Sequence, residues 1–511
     1  MRKGKKSLVY VMVLMLSLTA CLAACSKENK VTSETASPSP ETNAPASETA
    51  KAEELEPVVL NWYYIGEEHP DAQAVFAEAN KIIKDKINAT VNFNILGWGD
   101  YEKKMQLKVA AKEEFDIAFT SDWSFSYYNN VTKGAFLPLD DLIAQYAPQT
   151  KEMIPANIWD GTKINGKIYG IPNYQVSFRQ PAFIYKKELV DKYNLKDQIM
   201  NVKQMSDLTP IFEVIHKNEP EIIPSNIYPN WNRYDVHDAS NYLDQVGPFP
   251  VDVDASLKVV APSDAAYTEK TLADYKLAKE WHDKGYFHKD LGIAKDFNAE
   301  LQAGKFFLNE DVFKPGVEAD MKARFGYEVY AVPMGAAMLS TGSITATLSA
   351  ISKTSKNPER AAMLLELMNT DKELYNMIVF GLEGEHYTKT GDDRIEIVQD
   401  TKYAGYAWMM GSQFNAYKLP GQDDDVWEQT KLLNASAYKA PTLGFYLDPE
   451  PLKTMAADLT NAISLKQAFS YGIIDDYEAK YKEMQEKMEK AGLAEYIAAV
   501  QKQIDAWKAT K

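Results

Sequence analysis

Both cysteines of this 511-residue chain, Cys21 and Cys25, lie within its first 25 residues. The residues after them therefore fold without an internal disulfide bond, and their stability has to come from a buried apolar core. Hydrophobic residues make up 45% of the chain, and a chain of this length builds one or two large cores, with two domains favoured. The cysteine positions thus favour a large core-stabilised fold over a small disulfide-linked one.

The amino end has the pattern of a secretory leader. Residues 2–6 are rich in lysine and arginine, and an apolar run extends from Leu8 to Leu22. The sequence Leu-Ala-Ala-Cys that ends at Cys25 resembles the lipobox of bacterial lipoproteins, in which the peptidase cuts before a cysteine that carries a diacylglyceryl group. We therefore expect a signal peptide over 1–24 and a protein anchored by Cys25 to the extracellular face of the cell membrane. Lipidation at Cys21 and an ordinary secretory signal are the alternatives.

Residues 25–57 are predicted to form a disordered tether after the lipidated cysteine. They are mostly Ser, Thr, Pro, Ala and Glu, a composition that cannot offset the entropy lost on ordering. The net charge of −16 argues against nucleic-acid binding and against electrostatic binding to anionic lipids. No segment after the leader has the roughly 18 apolar residues that span a bilayer. We expect membrane contact through the lipid anchor only.

Strand and helix patterns alternate from Val58 onward. Leu60, Trp62 and Tyr64 have the two-residue period of a strand, and helical spacing follows over residues 76–87. A second strand, a second helix and the short apolar strand Phe115–Phe119 complete a βαβαβ order. This order predicts a parallel sheet covered by helices, and hence the α/β class. Two apolar stripes over residues 477–507 are expected to pack against the rest of the protein, with a coiled coil as the alternative.

Six stretches, taken in their order along the chain, resemble the extracellular solute-binding proteins of ABC importers, of the maltodextrin-binding type (family 1). These stretches are Phe115–Trp123, Gly134–Leu142, Asn165–Pro172, Phe183–Leu189, Phe297–Lys305 and Ala350–Ala362. The resemblance extends over about residues 58–390. The residues after about 400 are similar to the long carboxyl-terminal extension of a lipoprotein subgroup of that family.

The resemblance implies a two-lobed periplasmic-binding-protein-like (Venus flytrap) fold, each lobe a mainly parallel sheet flanked by helices, with extra C-terminal helices. We expect lobe one over 58–173 plus 338–388, and lobe two over 174–337 plus 389–511. Ligands of such sheets bind at the carboxyl ends of the strands, here between the lobes. The implied function is reversible binding of a carbohydrate and its delivery to the membrane permease. The protein is expected to be a monomer, without catalysis or a cofactor.

Sugars require aromatic side chains for their ring faces and planar polar groups for their hydroxyls. Asp122 and Trp123 follow a predicted strand, where a charged residue beside a tryptophan has no packing reason to lie. The strand ends and the resemblance together predict ligand contacts at Tyr64, Trp98, Asp122, Trp123, Tyr174, Gln175, Arg179, Trp231, Tyr234 and Glu310. Core packing is the alternative for Tyr64 and Trp98, and loop anchoring is the alternative for Asp122, Trp123, Trp231 and Tyr234.

Two other functions remain open at this stage. A secreted glycoside hydrolase would also place carboxylates and aromatics in a cleft, and a binding module could present a sensed solute to a membrane receptor. The sequence has no Gly-x-Ser-x-Gly elbow, no Gly-Lys-Ser or Gly-Lys-Thr phosphate loop and no His-Glu-x-x-His zinc helix. Its six histidines are scattered, and Asp423–Asp425 lacks the oxygen spacing of a calcium loop. We predict no catalytic residue and no metal site.

Overall fold

The computed structural model describes residues 55–288 and 298–510. The predicted signal peptide, Cys25 and nearly all of the tether lie outside the described residues. Within this part of the chain, no helix is both long and apolar enough to cross a bilayer.

The strands are β1 Val58–Ile65, β2 Ala89–Leu96, β3 Ile117–Thr120, β4 Lys163–Ile164, β5 Lys167–Ile168, β6 Ile171–Pro172, β7 Pro181–Lys186, β8 Ile223–Ser225, β9 Asp244–Val246, β10 Val251–Val253, β11 Val259–Val260, β12 Phe306–Val312, β13 Val329–Pro333, β14 Met338–Leu339, β15 Leu348–Ile351, β16 Tyr387–Gly391, β17 Arg394–Ile397 and β18 Tyr438–Lys439. The α-helices are α1 Ala72–Ile87, α2 Tyr101–Ala111, α3 Tyr127–Thr132, α4 Asp140–Tyr146, α5 Pro148–Met153, α6 Ala156–Thr162, α7 Lys187–Lys192, α8 Lys196–Met200, α9 Thr209–Asn218, α10 Trp231–Tyr234, α11 Ala265–Asp283, α12 Asn298–Gln302, α13 Val317–Phe325, α14 Thr341–Thr345, α15 Pro358–Thr370, α16 Lys372–Phe380, α17 Val426–Ser436, α18 Lys453–Ala462, α19 Lys466–Ser470, α20 Tyr477–Lys490 and α21 Leu493–Lys508.

The first sheet has five strands in the order β2-β1-β3-β15-β6. Strand β1 pairs in parallel with both β2 and β3, so the predicted βαβαβ unit is confirmed. Leu60, Trp62 and Tyr64 alternate into the core below this sheet, and Phe76 and Ile83 of α1 pack into the same core. Strand β15 runs antiparallel to β3 and β6.

The second sheet has four strands in the order β13-β7-β12-β8. Strand β7 is antiparallel to both β12 and β13, and only the β12–β8 pair is parallel. The expectation of mainly parallel sheets is therefore wrong for this sheet. The reason is that β7 arrives from the first sheet and inserts between two strands that run the other way. The α/β class itself is confirmed, because helices flank both sheets.

A third core joins the C-terminal helices to strands β9–β11. Tyr496, Val500 and Ile504 of α21 are fully buried in it together with Phe249 and Val251. The Tyr496 hydroxyl donates to the Phe249 carbonyl oxygen at 2.9 Å. The apolar stripes of residues 477–507 thus pack against the protein's own body, as predicted.

Two chain segments pass between the two sheets, and a third segment, which leads to the C-terminal helices, lies beside them. The backbones of Arg179 and Met338 exchange hydrogen bonds of 2.8 and 2.9 Å, and β14 pairs in parallel with β18. Before β18, Tyr403, Met409 and Met410 are buried in the first core. The division of the chain into lobes at residue 388 stays a prediction, but this packing favours a first lobe that also includes residues up to about 437.

Candidate functional site

Three tryptophans and a tyrosine form an aromatic cluster beside the carboxyl ends of β2 and β3. The Trp98 ring lies 6.2 Å from Trp123 and 6.4 Å from Trp408, with interplanar angles of 22° and 27°. Tyr406 meets Trp98 edge-on at 5.9 Å. Trp98 is 45% exposed and Trp123 47% exposed. We call these four residues the aromatic face; grouped exposed indoles of this kind mark a binding surface.

The rings of the aromatic face are held in place by the surrounding structure. The Trp123 Nε1–H donates to the Ala346 carbonyl oxygen at 2.8 Å, and the Tyr406 hydroxyl accepts from the Glu67 N–H at 3.0 Å. Phe119 of β3 packs against Trp123 and Trp408. Because the rings are fixed before a ligand arrives, little side-chain entropy is lost when one binds.

Asp122 and Arg179 provide charged groups next to the aromatic face. Displacement of water by the surrounding protein raises the pKa of Asp122, against the effect of nearby backbone N–H groups and of Arg179. Loss of water likewise lowers the pKa of Arg179, while the Asp122 charge opposes that shift. The charges of Arg233 and Asp311, from the other side, also act on Arg179. The segment between β13 and β15 contacts both sides: the Asp122 N–H donates to the Thr345 carbonyl oxygen at 3.0 Å, and the Gly335 N–H donates to the Tyr234 carbonyl oxygen at 3.1 Å.

On the second-sheet side, a short helix carries an aromatic and charged cluster. The Arg233 guanidinium pairs with the Glu310 carboxylate through two N–H groups, one of them Nε at 3.2 Å. The Tyr234 hydroxyl donates to the same carboxylate. The Trp231 N–H donates to Asp274 Oδ2 at 2.9 Å, so the start of α10 is anchored to α11.

The Trp231 ring is supported from behind by α11. The Lys270 ammonium lies 4.2 Å from the centre of its ring, and Tyr267 meets it edge-on at 5.7 Å. A cavity of about 620 Å³ adjoins this cluster and is lined by Trp231, Arg233, Tyr234 and Glu310 together with residues of α11 and α20. Its volume lies in the range of roughly 300–1,000 Å³ that is typical of small-molecule sites.

The structure places seven of the ten predicted contacts in two groups. The first group lies at the aromatic face and the connecting segment and comprises Trp98, Asp122, Trp123 and Arg179. The second group lines the 620 Å³ cavity and comprises Trp231, Tyr234 and Glu310. Gln175 is half-buried, and its carbonyl oxygen accepts from the Asn434 side chain.

Tyr64 and Tyr174 belong to neither group, and their burial favours core packing over ligand contact. Tyr64 is 3% exposed and Tyr174 4% exposed, and both rings pack in the first core. Tyr64 is in phase with the buried side of its strand, and the Tyr174 ring packs against Phe414 at 4.6 Å.

The sequence analysis missed Tyr406, Trp408 and Tyr267. Tyr406 and Trp408 belong to a segment expected in the other lobe, and only their two-residue spacing hinted at a shared function. Tyr267 lies in the first turn of α11. Among the described residues, no group of three or more His, Cys, Asp or Glu side chains is arranged to hold a metal ion.

Comparisons with known proteins identify the family of the chain. The profile of the family described as bacterial extracellular solute-binding protein matches residues 67–374, and a domain of unknown function (DUF3502) matches residues 441–509. A carbohydrate ABC transporter substrate-binding protein from Streptococcus pneumoniae serotype 4 is 26% identical over the full length of both chains.

Two solved structures of the N-glycan transport solute binding protein from Streptococcus pneumoniae are 25% identical to the chain. One superposes with a TM-score of 0.78 over 89% of this chain and 100% of that chain. The other, in complex with Man1GlcNAc, superposes with a TM-score of 0.71 over 88% and 99%. The predicted two-lobed fold is thereby confirmed. With a family profile that matches more than half of its length, the chain belongs to the bacterial extracellular solute-binding proteins.

Proposed function

We propose that this protein is the carbohydrate-binding component of an ABC importer, which binds an oligosaccharide reversibly between its two lobes and delivers it to the membrane permease. The observation that carries the proposal is the convergence of the aromatic face with the Trp231 cluster around the segments that connect the sheets. The names of its relatives, a carbohydrate-binding protein and an N-glycan-binding one, support the same ligand class.

The chemistry of the site suits sugars. Trp98 and Trp123 offer apolar ring surfaces against which the C–H face of a sugar packs. Asp122 accepts hydrogen bonds from hydroxyl groups, and Arg179 donates to hydroxyl oxygens. These contacts bind and orient a solute, and none of them requires a bond to break. We therefore propose binding without catalysis, so that an oligosaccharide incubated with the protein is recovered intact.

Delivery requires the permease to distinguish the ligand-bound protein from the empty one. If the lobes rotate about the connecting segments, a ligand that contacts both lobes favours the closed form over the open one. The ligand has to prefer the closed form by more than the free energy that separates the two empty forms. Closure then reports occupancy.

A thermal-shift panel of oligosaccharides, amino acids and peptides tests the ligand class. Oligosaccharides should raise the melting temperature because they bind the folded state only. Trp123→Ala and Trp231→Ala should each weaken the binding of the best oligosaccharide tenfold or more, about 1.4 kcal/mol. The control Leu432→Ala removes an apolar side chain that is 69% exposed on α17 and should leave affinity unchanged. A panel in which only amino acids or peptides shift the melting temperature would contradict the proposal.

We also propose that Cys25 carries the lipid and that the monomeric protein stays on the extracellular face of the membrane. Acyl chains stabilise such an anchor by about 0.8 kcal/mol for each buried methylene. The variant Cys25→Ala should therefore appear in the culture medium. Retention of that variant on the cells would overturn the lipid assignment without affecting the ligand class.

A further inference from the structure

The Arg233 cation of the proposed site is already paired with a carboxylate of the protein. The Arg233 guanidinium faces Glu310 with two N–H groups, and the Tyr234 hydroxyl donates to the same carboxylate. This two-pronged arrangement is the one by which an arginine holds the carboxylate of a ligand. With Glu310 in place, that binding mode of Arg233 is occupied.

The second guanidinium of the site, that of Arg179, also lies near negatively charged groups. The negative charges of Asp122 and Asp311 act on it, and the positive charge of Arg233 acts against it. The 620 Å³ cavity adds further carboxylates: Asp252, Asp274 and Glu310 line it, against the cations Arg233 and Lys466 among the described residues. An anionic group that enters this cavity meets more carboxylates than cations, and one of the two cations, Arg233, is already paired with Glu310.

From this charge distribution we infer that the site selects uncharged oligosaccharides over carboxylated ones, and that Glu310 sets this selectivity by occupying Arg233. The inference rests on the proposed function, because it concerns the same cleft. Hydroxyl groups can donate to Glu310 and Asp122 and accept from the two arginines without breaking the Arg233–Glu310 pair. A hexuronate would instead compete with these carboxylates and lose its hydration.

The test compares neutral and carboxylated probes by titration calorimetry. The neutral probes are Man1GlcNAc and mannose-based oligosaccharides, and the carboxylated probes are short oligogalacturonates and oligoguluronates. In the unaltered protein, the best neutral probe should bind at least tenfold more tightly than any carboxylated probe. Equal or tighter binding of a carboxylated probe would overturn the selectivity while leaving carbohydrate binding intact. Binding of no probe would overturn the proposed function and the inference with it.

The variant Glu310→Gln identifies the residue responsible. The amide keeps the size of the side chain but removes the charge that neutralises Arg233, so the ratio of carboxylated to neutral affinity should rise about tenfold. Asp122→Asn should shift the ratio in the same direction through Arg179. The matched control Glu328→Gln removes a carboxylate that pairs with Lys322 outside the cavity and should leave the ratio unchanged. A constant ratio in both site variants, with normal melting, would contradict the role of these carboxylates.

Discussion

Trp408 connects the aromatic face to the first core. Its ring stacks near Trp98 on one side and packs edge-on against Phe119 at 5.8 Å on the other. It therefore supports the two more exposed indoles that a sugar would contact. A side chain in this position affects binding through the rings that it holds as well as through its own surface.

We expect Trp408→Ala to weaken oligosaccharide binding tenfold or more and to lower the free energy of unfolding by about 2–4 kcal/mol, because a large half-buried ring is lost. Trp427→Ala is the matched control. It removes another half-buried tryptophan of the same chain region, which packs against Phe414 away from the aromatic face. Calorimetric titration and denaturant unfolding should show a stability loss in both variants and an affinity loss in Trp408→Ala alone. Equal affinities in the two variants would exclude Trp408 from the site.

Individual site residues could be predicted where a strand ends and a polar residue follows. Asp122 and Trp123 were predicted this way, and the structure places them after β3 as expected, while their contact with a ligand stays a prediction. The same rule also selected Tyr64, although its two-residue phase with Leu60 and Trp62 puts it on the core side. Trp408 was beyond prediction, because it reaches the face from a segment that is distant in sequence and has no regular strand before it.

The α10 helix depends on two half-buried carboxylates that anchor backbone N–H groups. Asp274 accepts from the Trp231 N–H, and Asp235 accepts from the Met205 N–H at 3.0 Å. Burial raises the pKa of each from 3.8 to about 7, although the hydrogen bonds act in the opposite direction, and the charge of Asp235 adds to the shift of Asp274. Because both folded pKa values lie above the unfolded value, the folded state holds extra protons between about pH 4 and pH 7, and stability falls as pH rises through that window.

Asp274→Asn should remove part of this pH dependence. The Asn side-chain oxygen still accepts from the Trp231 N–H but carries no charge to desolvate. We expect the free energy of unfolding to rise by about 1 kcal/mol or more at pH 8 and to stay nearly unchanged at pH 4, since one unit of pKa shift corresponds to about 1.4 kcal/mol. Denaturant titrations at both pH values provide the measurement. Asp458→Asn, on an exposed position of α18, is the control, and a loss of stability at pH 8 in Asp274→Asn would contradict the argument.

The segment that carries Tyr406 and Trp408 lies directly against α16. A Cβ atom on Gly405 would meet the Ile378 carbonyl oxygen and would lie 2.9 Å from the Val379 Cα. Both contacts are with backbone atoms, which cannot move aside as a side chain can. Gly405→Ala should therefore displace this segment, lower the melting temperature and weaken oligosaccharide binding. Gly99→Ala is the control, because a Cβ atom there meets nothing within 4 Å although Trp98 is adjacent. Unchanged melting and affinity in Gly405→Ala would show that the segment tolerates the shift.

Elements that form through local contacts were predictable, and those that form between distant segments were not. The βαβαβ unit of the first sheet follows from the strand and helix periods of hydrophobic residues within a stretch of about 60 residues. The antiparallel insertion of β7 between β12 and β13 depends on strands separated by more than a hundred residues, and no local pattern encodes their direction. The packing of Tyr403 and Met409 into the first core could not be predicted from the sequence for the same reason.

At the scale of the whole molecule, two segments connect the two sheets and a third lies beside them, while the proposed ligand groups lie on both sides of these segments. Few segments in one place allow rotation of two bodies without loss of either core. We expect the radius of gyration in small-angle scattering to fall when a saturating oligosaccharide is added, and to recover when it is removed. Trp123→Ala with Trp231→Ala, which removes one contact from each side, should need a higher oligosaccharide concentration for the same change. Scattering curves that stay identical at saturation, in a protein that binds the sugar by calorimetry, would mean that binding occurs without closure.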